Sequence, residues 1–333
     1  MNELTQASKM TETIRQPMAC IYLLGWELIG SFVLGSGQCD FAFCERLLDP
    51  LLSDYPDGAI ILFLKGRYYL IRGDVDNAIH FYNKSIKVQD SYKQFHHICY
   101  WELLFAFSFL QQWDRAAHNT KKLLDESKWS KCVYTYLMAI LINADKKVDK
   151  RKETVALLAN KVGKLRLRIA GKSIPVEKFC EKKAARYLKT GSFMLSHYEF
   201  FYFWHAFNIL NSNQRQIRLI LNDIEATSKQ VVEEKEVDVN DQCLYYFLTG
   251  VCYRVLGQIE DANSAFNFVI SNESVLTDSF YLVPNATYEL ALLRRDSGNS
   301  EQCDVLLKKA LIYRGYSLET RLHLKIHNIA SYL

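Results

Sequence analysis

The sequence predicts an all-α protein, an α-solenoid of helical hairpins stacked into a right-handed superhelix. Three observations predict it. The chain has 333 residues, 49% of them hydrophobic, which is enough to bury a large core. Its 14 Gly and 5 Pro are too few for a turn-dense β-sandwich or barrel. Finally, one spacing of small and aromatic residues occurs in two distant parts of the chain.

The repeated spacing places two glycines, an alanine and two aromatic residues at the same offsets in both segments. The first copy, within 62–86, consists of Gly66, Tyr69, Gly73, Ala78 and Tyr82. The second copy, within 246–270, consists of Gly250, Tyr253, Gly257, Ala262 and Phe266.

This spacing has a physical reading as a pair of antiparallel helices. A glycine inside the first helix lets a second helix approach closely, and the following glycine ends the first helix in a left-handed conformation. The alanine then sits where the helices cross, because a larger side chain would force them apart. We therefore expect Gly66 to face Ala78, and Gly250 to face Ala262.

The two segments resemble the tetratricopeptide repeat, whose period is 34 residues. Weaker copies appear once this register is fixed. One has its matching positions at Leu104, Phe107, Ala116, Thr120 and Leu123. Another has them at Ala291, Gly298, Cys303, Leu307 and Ala310. A degenerate copy contains Cys44, 34 residues before Ala78.

Three strings outside the repeat consensus resemble the C-terminal region of the tetratricopeptide repeat protein 39 family, which is related to the fungal inclusion-body-clearance proteins. They are SIKVQDSYKQFHHICYWELLFAFSFLQQW, DESKWSKCVY and LRIAGKSIPVEKFCEKKAARY. Members of that family typically carry a further helical region in front of this part, so we expect a short form, a divergent member or a fragment. The resemblance implies a non-enzymatic role in protein association, with links to lipid homeostasis and organelle contact.

Composition and repeat register divide the chain into four parts. We expect a polar N-terminal tail at 1–17, an N-terminal repeat cluster at 18–127, a basic helical connector at 128–195 and a C-terminal repeat cluster at 196–333. The tail is too short and too polar to act as a secretory signal.

The connector concentrates positive charge. Between Lys146 and Lys189 there are fifteen Lys or Arg and four acidic residues, whereas the whole chain carries only +4. The string VALLANKVGKLRLRI predicts a basic amphipathic helix that could dock on an anionic lipid surface or an acidic partner. The alternative is a solvated face paired with acidic neighbours. The candidate docking residues are Lys164, Arg166, Arg168, Lys172, Lys178, Lys182 and Lys183. No nucleic-acid-binding motif accompanies them, so nucleic acid is not an expected partner.

The stretch Met18–Gly35 is eighteen residues long with Glu27 as its single charge. This length is at the lower limit for a membrane span. A central glutamate and three glycines oppose spanning, and the repeat register makes the stretch a buried first helix. Both readings, a buried helix and a membrane contact, remain open at this point.

No catalytic or metal-binding pattern is present. The sequence lacks a nucleophile elbow, an H-E-x-x-H helix and a dinucleotide-binding turn, and Gly171-Lys172-Ser173 lacks the earlier glycine of a phosphate-binding loop. The adjacent histidines His96 and His97 diverge on a helix, whereas His323 and His327 share a face without further ligands nearby. The nine cysteines include no C-x-x-C pair, which indicates free thiols in a reducing compartment. We predict no enzyme activity, cofactor or metal.

We predict a non-catalytic scaffold or adaptor that binds a protein or peptide on the inner, concave surface formed by the first helices of the repeats. Register places six residues there: Phe63, Arg67, Leu70, Trp101, Phe105 and Ser108. Burial of the same stripe under a C-terminal helix is the alternative. The second functional hypothesis is a peripheral membrane or lipid-droplet-associated factor that uses the basic segment and the 18–35 helix. The expected location is the cytoplasm, with peripheral association to mitochondria or lipid droplets.

Overall fold

The computed structural model describes residues 15–34, 38–169, 172–234 and 238–330. These residues are almost entirely helical. The strands among them are a single antiparallel pair of two residues each, β1 (Arg168–Ile169) and β2 (Lys172–Ser173). The prediction of an all-α protein is therefore confirmed. The chain forms two compact units, one from 1–126 with 208–213 and the other from 127–207 with 214–333.

The first unit contains an N-terminal helical segment followed by helices that pair in sequence. The segment consists of α1 (Arg15–Gly25), a π-helical turn (Trp26–Gly30) and α2 (Ser31–Leu34). The helices that follow are α3 (Phe41–Asp54), α4 (Ala59–Ile71), α5 (Val75–Lys87), α6 (Lys93–Phe109) and α7 (Trp113–Glu126).

The second unit holds the remaining described helices, apart from a short helix α12 (Ala206–Ile209) at the junction between the units. They are α8 (Lys131–Ala144), α9 (Arg151–Val162), α10 (Pro175–Thr190), α11 (Ser196–Phe203), α13 (Gln214–Glu234), α14 (Val239–Val255), α15 (Ile259–Ser271), α16 (Leu282–Asp296), α17 (Ser300–Ile312) and α18 (Glu319–Ala330).

Four hairpins, α4–α5, α6–α7, α14–α15 and α16–α17, turn in the same way. In each, a residue with positive φ follows the end of the first helix. These residues are Gly73, Gln111, Gly257 and Gly298. The next residue donates its N–H to a carbonyl five residues back, at 2.9 Å in all four turns. This is the Schellman arrangement, which satisfies carbonyls that the helix end leaves unpaired. Three turns use glycine for the left-handed position, and the weaker copy uses Gln111 instead.

The two strong copies pack through their helix glycines. A Cβ added to Gly66 would lie 2.8 Å from ring carbons of Tyr82 and 3.3 Å from the Ala78 carbonyl oxygen. A Cβ on Gly250 would lie 2.7 Å from a Phe266 ring carbon and 3.2 Å from the Ala265 Cβ. In both hairpins the absent side chain makes room for the aromatic ring of the second helix. The second glycine faces Ala265 and Phe266, one turn beyond the expected Ala262.

The N-terminal segment is not one continuous helix. The π-helical turn interrupts it, and there the N–H of Ser31 donates to the carbonyl of Trp26, five residues back. Glu27 lies in this turn and its carboxylate accepts the N–H of Asp40 at 3.3 Å. Among the described residues, no helix combines the length and the apolar character needed to cross a bilayer.

The segment 128–195 contains a fifth hairpin, α8–α9, where the sequence indicated a connector. Helix α8 begins with a side-chain cap, because the Ser130 hydroxyl accepts the N–H of Val133 at 3.2 Å. Helix α9 ends at Val162, so the predicted amphipathic helix through residue 169 is seven residues too long. A 3₁₀ turn at 163–165 and strand β1 follow it.

Candidate protein-binding cleft

The six residues predicted to line a concave surface do not form an open surface. Phe63, Arg67, Leu70, Phe105 and Ser108 are all buried, and Trp101 is half-buried. The expectation of an exposed binding stripe is therefore wrong for these positions.

The physical reason is that the N-terminal helical segment packs onto α4. The Arg67 guanidinium donates to the carbonyl of Leu28 at 3.0 Å and lies 5.8 Å from the centre of the Phe32 ring. Its other side pairs with Glu102 at 2.7 Å. The cover at Arg67 thus comes from the N-terminal segment rather than from a C-terminal helix, whereas Phe63 packs against the rings of Tyr82 and Phe95, each with 5.6 Å between ring centres.

The predicted basic docking residues separate into paired and unpaired groups. Arg166 pairs with Glu181, and Lys183 is buried against Glu199 at 2.9 Å. Lys164 and Arg168 are exposed, and the side chain of Lys172 lies outside the described residues. The structure therefore does not gather all seven residues into one basic face.

The remaining two, Lys178 and Lys182, lie one turn apart on the exposed side of α10 and line a cleft of about 740 Å³. The first turn of α10 forms one wall. Residues 315–318 of the preceding loop and helix α18 form the other wall. The apolar lining consists of Ile174, Pro175, Val176, Leu318 and Leu324. The cleft thus combines an apolar floor with a basic rim, which is the composition of many binding sites.

Arg321, on the first turn of α18, lines this cleft and is half-buried. Its guanidinium stacks over the indole of Trp204, with 4.6 Å between the Cζ atom and the ring centre. Its Nε is buried and has no hydrogen-bond partner among the described residues. Burial lowers the pKa of Arg321 to about 10, and no carboxylate opposes that shift.

Three other enclosed cations of this unit each have a carboxylate within 3 Å. The pairs are Lys183–Glu199 at 2.9 Å, Arg186–Asp241 at 2.8 Å and Arg254–Glu289 at 2.8 Å. Buried charges are normally paired in this way because desolvation is costly. Arg321 has no such carboxylate among the described residues, and neither does Lys325 on the same helix.

Lys325 lies one turn after Arg321 on α18 and is buried. Its ammonium contacts the rings of Tyr202 and Tyr288, at 4.8 and 5.9 Å from their centres. Burial, together with the positive charges of Arg321 and Arg254, lowers the pKa of Lys325 to about 8, although Glu289 opposes the shift. Helix α18 therefore brings two cations into an aromatic environment.

The loop before α18 adds a buried donor to the cleft. Tyr316 is 9% exposed, and its hydroxyl has no hydrogen-bond partner among the described residues. Leu318 holds a φ of 63°, a left-handed conformation that is unfavourable for a branched side chain. Such conformations persist where the surrounding structure fixes them, and often at functional sites.

The described residues contain no group of three or more His, Cys, Asp or Glu side chains placed to hold a metal ion. His96 is buried and contacts the carbonyl of Gln89 at 2.7 Å, whereas His97 lies 3.5 Å from Glu126. The cysteines among the described residues are all free, and most are buried. Burial raises the pKa of the Cys132 thiol to about 12 and that of Cys243 to about 11, which keeps both protonated and unreactive.

Sequence reasoning did not identify Arg321, Tyr316 or the apolar wall of the cleft. Lys178 and Lys182 stood out because they belong to a strongly basic segment. Arg321 is one cation in an ordinary helical string, ETRLHLKIHNIA, and its sequence neighbours do not reveal that it lacks a carboxylate partner.

The chain is similar in sequence to proteins of one known family. The profile of the family described as Iml2/Tetratricopeptide repeat protein 39 matches residues 1–256. The chain is 48% identical over 330 residues to "Tetratricopeptide repeat protein ttc-39B" of Caenorhabditis elegans, and this match covers 98% of the chain but 57% of that protein. The chain therefore spans little more than half the length of this relative. A solved structure, the APC/C hetero-tetramer Cut9-Hcn1, aligns with a TM-score of 0.36 and 11% identity over 98% of this chain and 58% of the other.

Proposed function

Because the chain belongs to the Iml2/tetratricopeptide repeat protein 39 family, we propose that it acts as a non-catalytic scaffold that binds a segment of a partner protein in the cleft between α10 and α18. Repeat families of this kind typically mediate protein association rather than catalysis. One observation carries the proposal: a concave site with apolar walls contains a half-buried arginine that has no carboxylate partner in the described structure.

The cleft has the anatomy of a site for a protein segment. Leu324 is 45% exposed at its wall, and the exposed lysines Lys178 and Lys182 stand at its rim. Protein interfaces commonly combine a buried apolar centre and arginine anchors with a polar edge. An extended strand or one helical turn of a partner would cover the apolar lining and leave its polar side chains at the rim.

The family resemblance implies more about the cellular setting than the fold does. On that resemblance alone, we propose that the partner acts in lipid homeostasis and that the complex forms in the cytoplasm, next to mitochondria or lipid droplets. Neutral-lipid content in cells that express an Arg321→Met chain in place of the natural one checks this part. An unchanged lipid content would remove it and leave the scaffold proposal intact.

Site-specific photo-crosslinking in cells tests the scaffold function. A photoreactive amino acid at Leu324, in the cleft wall, is compared with one at Leu188, which is equally exposed (46%) near the end of α10 and outside the cleft lining. We expect a reproducible protein adduct from position 324 that is absent from position 188. Equal adduct patterns at the two positions would contradict binding in the cleft.

A second function, peripheral membrane association, is favoured by one feature of the first unit. Four large apolar side chains of the N-terminal helical segment are exposed: Met18, Tyr22, Trp26 and Val33. Exposed aromatic and aliphatic residues in one helical segment favour the membrane interface. The exposed cations Lys164 and Arg168 supply the electrostatic part of this hypothesis.

Vesicle flotation tests the membrane hypothesis. The vesicles contain about 30% phosphatidylserine, to represent an anionic leaflet. They are mixed with the wild-type chain, with a Tyr22→Ser, Trp26→Ser double variant and with a Lys164→Glu, Arg168→Glu double variant. The hypothesis predicts that both variants bind less than the wild type. If the wild-type chain fails to float, or if both variants float like it, the membrane hypothesis is excluded.

A further inference from the structure

We infer that the cleft between α10 and α18 recognises an acidic protein segment, in which a carboxylate pairs with Arg321 and an adjacent apolar side chain covers the cleft wall. The inference rests on the proposed function and names the chemistry of the partner. It follows from the charge balance of the site, from the shape of its donors and from the composition of its lining.

The lining of the cleft carries a net positive charge. The lining contains three cations, Lys178, Lys182 and Arg321, and one carboxylate, Glu319. Glu319 is already engaged, since one of its oxygens accepts the N–H of Gly315 at 2.6 Å and the other lies 3.9 Å from Arg314. No other described acidic residue lines the cleft. The site therefore has an excess of positive charge that an anion would neutralise.

The donors favour an oxygen anion with a planar face. A guanidinium presents its N–H groups as a rigid fork that matches a carboxylate, and pairs of this kind are among the strongest hydrogen bonds in proteins. The buried Nε of Arg321 and the buried hydroxyl of Tyr316 both lack acceptors among the described residues. Both residues line the same cleft, and the half-buried guanidinium of Arg321 is the group that a bound carboxylate can pair with, whereas the enclosed Tyr316 hydroxyl lies out of its reach.

The rim lysines have a different role. Lys178 and Lys182 are exposed and form no ion pair with a described residue. Exposed charges contribute little to affinity in salt but raise the rate at which an oppositely charged partner arrives. We therefore assign them to attraction of the acidic segment and Arg321 to its recognition.

The apolar lining separates a protein segment from simpler anions. A free inorganic anion would leave the accessible part of the apolar lining, at Ile174, Pro175 and Leu324, uncovered. A flat bilayer surface fits a concave site poorly, and Arg321 lies half-buried in this one, beside Trp204. An acidic side chain next to an apolar one satisfies both halves of the cleft.

Selection of peptides on the whole chain tests the inference. A displayed library of random 12-residue peptides is selected on the wild-type chain, and the enriched peptides are synthesised with each Asp or Glu changed to Asn or Gln. We expect at least one acidic position whose neutralisation weakens binding about 10- to 100-fold, the loss typical of a charged hydrogen-bonded pair. On an Arg321→Met chain, the acidic and neutral peptides should differ by less than about 3-fold.

Two variants control this experiment. Arg215→Gln removes an exposed arginine of the same unit that lies outside the cleft lining and should bind like the wild type. Leu324→Glu places a negative charge at an exposed position of the cleft wall, so it should weaken the acidic peptide more than its neutral counterpart. Because Leu324 is 45% exposed, this variant tests the site even if Arg321→Met does not fold.

The outcomes separate the inference from the function on which it rests. If enriched peptides crosslink to the cleft but bind equally well with and without their carboxylates, the acidic specificity is refuted and peptide binding stands. If enriched peptides crosslink only outside the cleft, both proposals fail. If anionic vesicles bind and this binding is lost in Arg321→Met while peptides do not bind, the partner is a membrane and the inference is refuted.

Discussion

Replacing Gly66 by alanine tests the packing on which the repeat assignment depends. The added Cβ would lie 2.8 Å from two ring carbons of Tyr82 and 3.3 Å from the carbonyl of Ala78. Contacts closer than about 3.0 Å essentially do not occur at a real Cβ, so either the ring or the helix must move. The Tyr82 ring is fully buried and its centre lies 5.6 Å from that of Phe63, which leaves it little space to yield.

Two opposing effects set the size of the change. Overpacking of a filled core costs about 1–3 kcal/mol, whereas alanine gains about 1 kcal/mol over glycine in a helix interior. Gly25→Ala is the matched control, because Gly25 has helical dihedral angles and its added Cβ would meet no atom within 4 Å. Gly25→Ala should therefore stabilise the first unit by about 1 kcal/mol, and Gly66→Ala should be about 1–3 kcal/mol worse than that.

Native-state hydrogen exchange measures this difference, because the free energy of opening of the α4–α5 amides reports on the hairpin itself. A Tyr82→Ala background supplies the second control, since removal of the ring should turn Gly66→Ala into a stabilising change. If Gly66→Ala stabilises the hairpin as much as Gly25→Ala stabilises its own helix, the close approach at Gly66 is not a constraint and the reasoning is wrong.

Three further predictions follow from single residues. Gln111→Gly should stabilise the α6–α7 hairpin by about 0.5–1 kcal/mol, because glycine adopts the φ of 55° at this turn with less strain than glutamine. Hydrogen exchange of the α6 amides measures this change, and a lower free energy of opening in the variant would show that the turn is unstrained. His197 is buried, and burial lowers its pKa to about 4, so the free energy of unfolding should be constant above pH 6.5 and fall by about 3 kcal/mol as the pH drops toward 4. In denaturant titrations, His197→Phe should flatten this pH dependence, and an unchanged dependence would refute the prediction. Burial lowers the pKa of Lys325 to about 8, so the unfolded state binds more protons between pH 8 and 10.5 and stability should rise across this range. Lys325→Met should remove that rise and increase the melting temperature at pH 7; a lower melting temperature would show that the ammonium is well accommodated by its aromatic contacts.

The helical hairpins were predictable because a crossing of two helices imposes strict demands on side-chain size. Gly66 and Gly250 had to be small, and the glycines after them had to allow a left-handed turn. The α6–α7 turn shows the limit of this signal, since Gln111 adopts the same conformation without the favoured residue. The α8–α9 hairpin lacks the glycine pattern. The positive charge of this part of the sequence therefore led to the prediction of a basic connector that docks on a partner, and the hairpin was not predicted.

The candidate site was much less predictable, for a different physical reason. Periodicity places a residue on one side of a helix but does not say what packs on that side. Phe63 and Arg67 were therefore assigned to an open surface, but the N-terminal helical segment covers Arg67 and the rings of Tyr82 and Phe95 cover Phe63. Arg321 shows the converse, because the absence of a carboxylate opposite a half-buried cation depends on chain segments distant in sequence.

The claim that most of this account depends on is that partners bind in the cleft between α10 and α18. Hydrogen–deuterium exchange of the whole chain, with and without an acidic peptide selected on it, tests that claim directly. We predict slower exchange at residues 174–182 and 315–324, together with no such change in the Arg321→Met chain. Protection confined to the first unit, or equal protection in both chains, would contradict it.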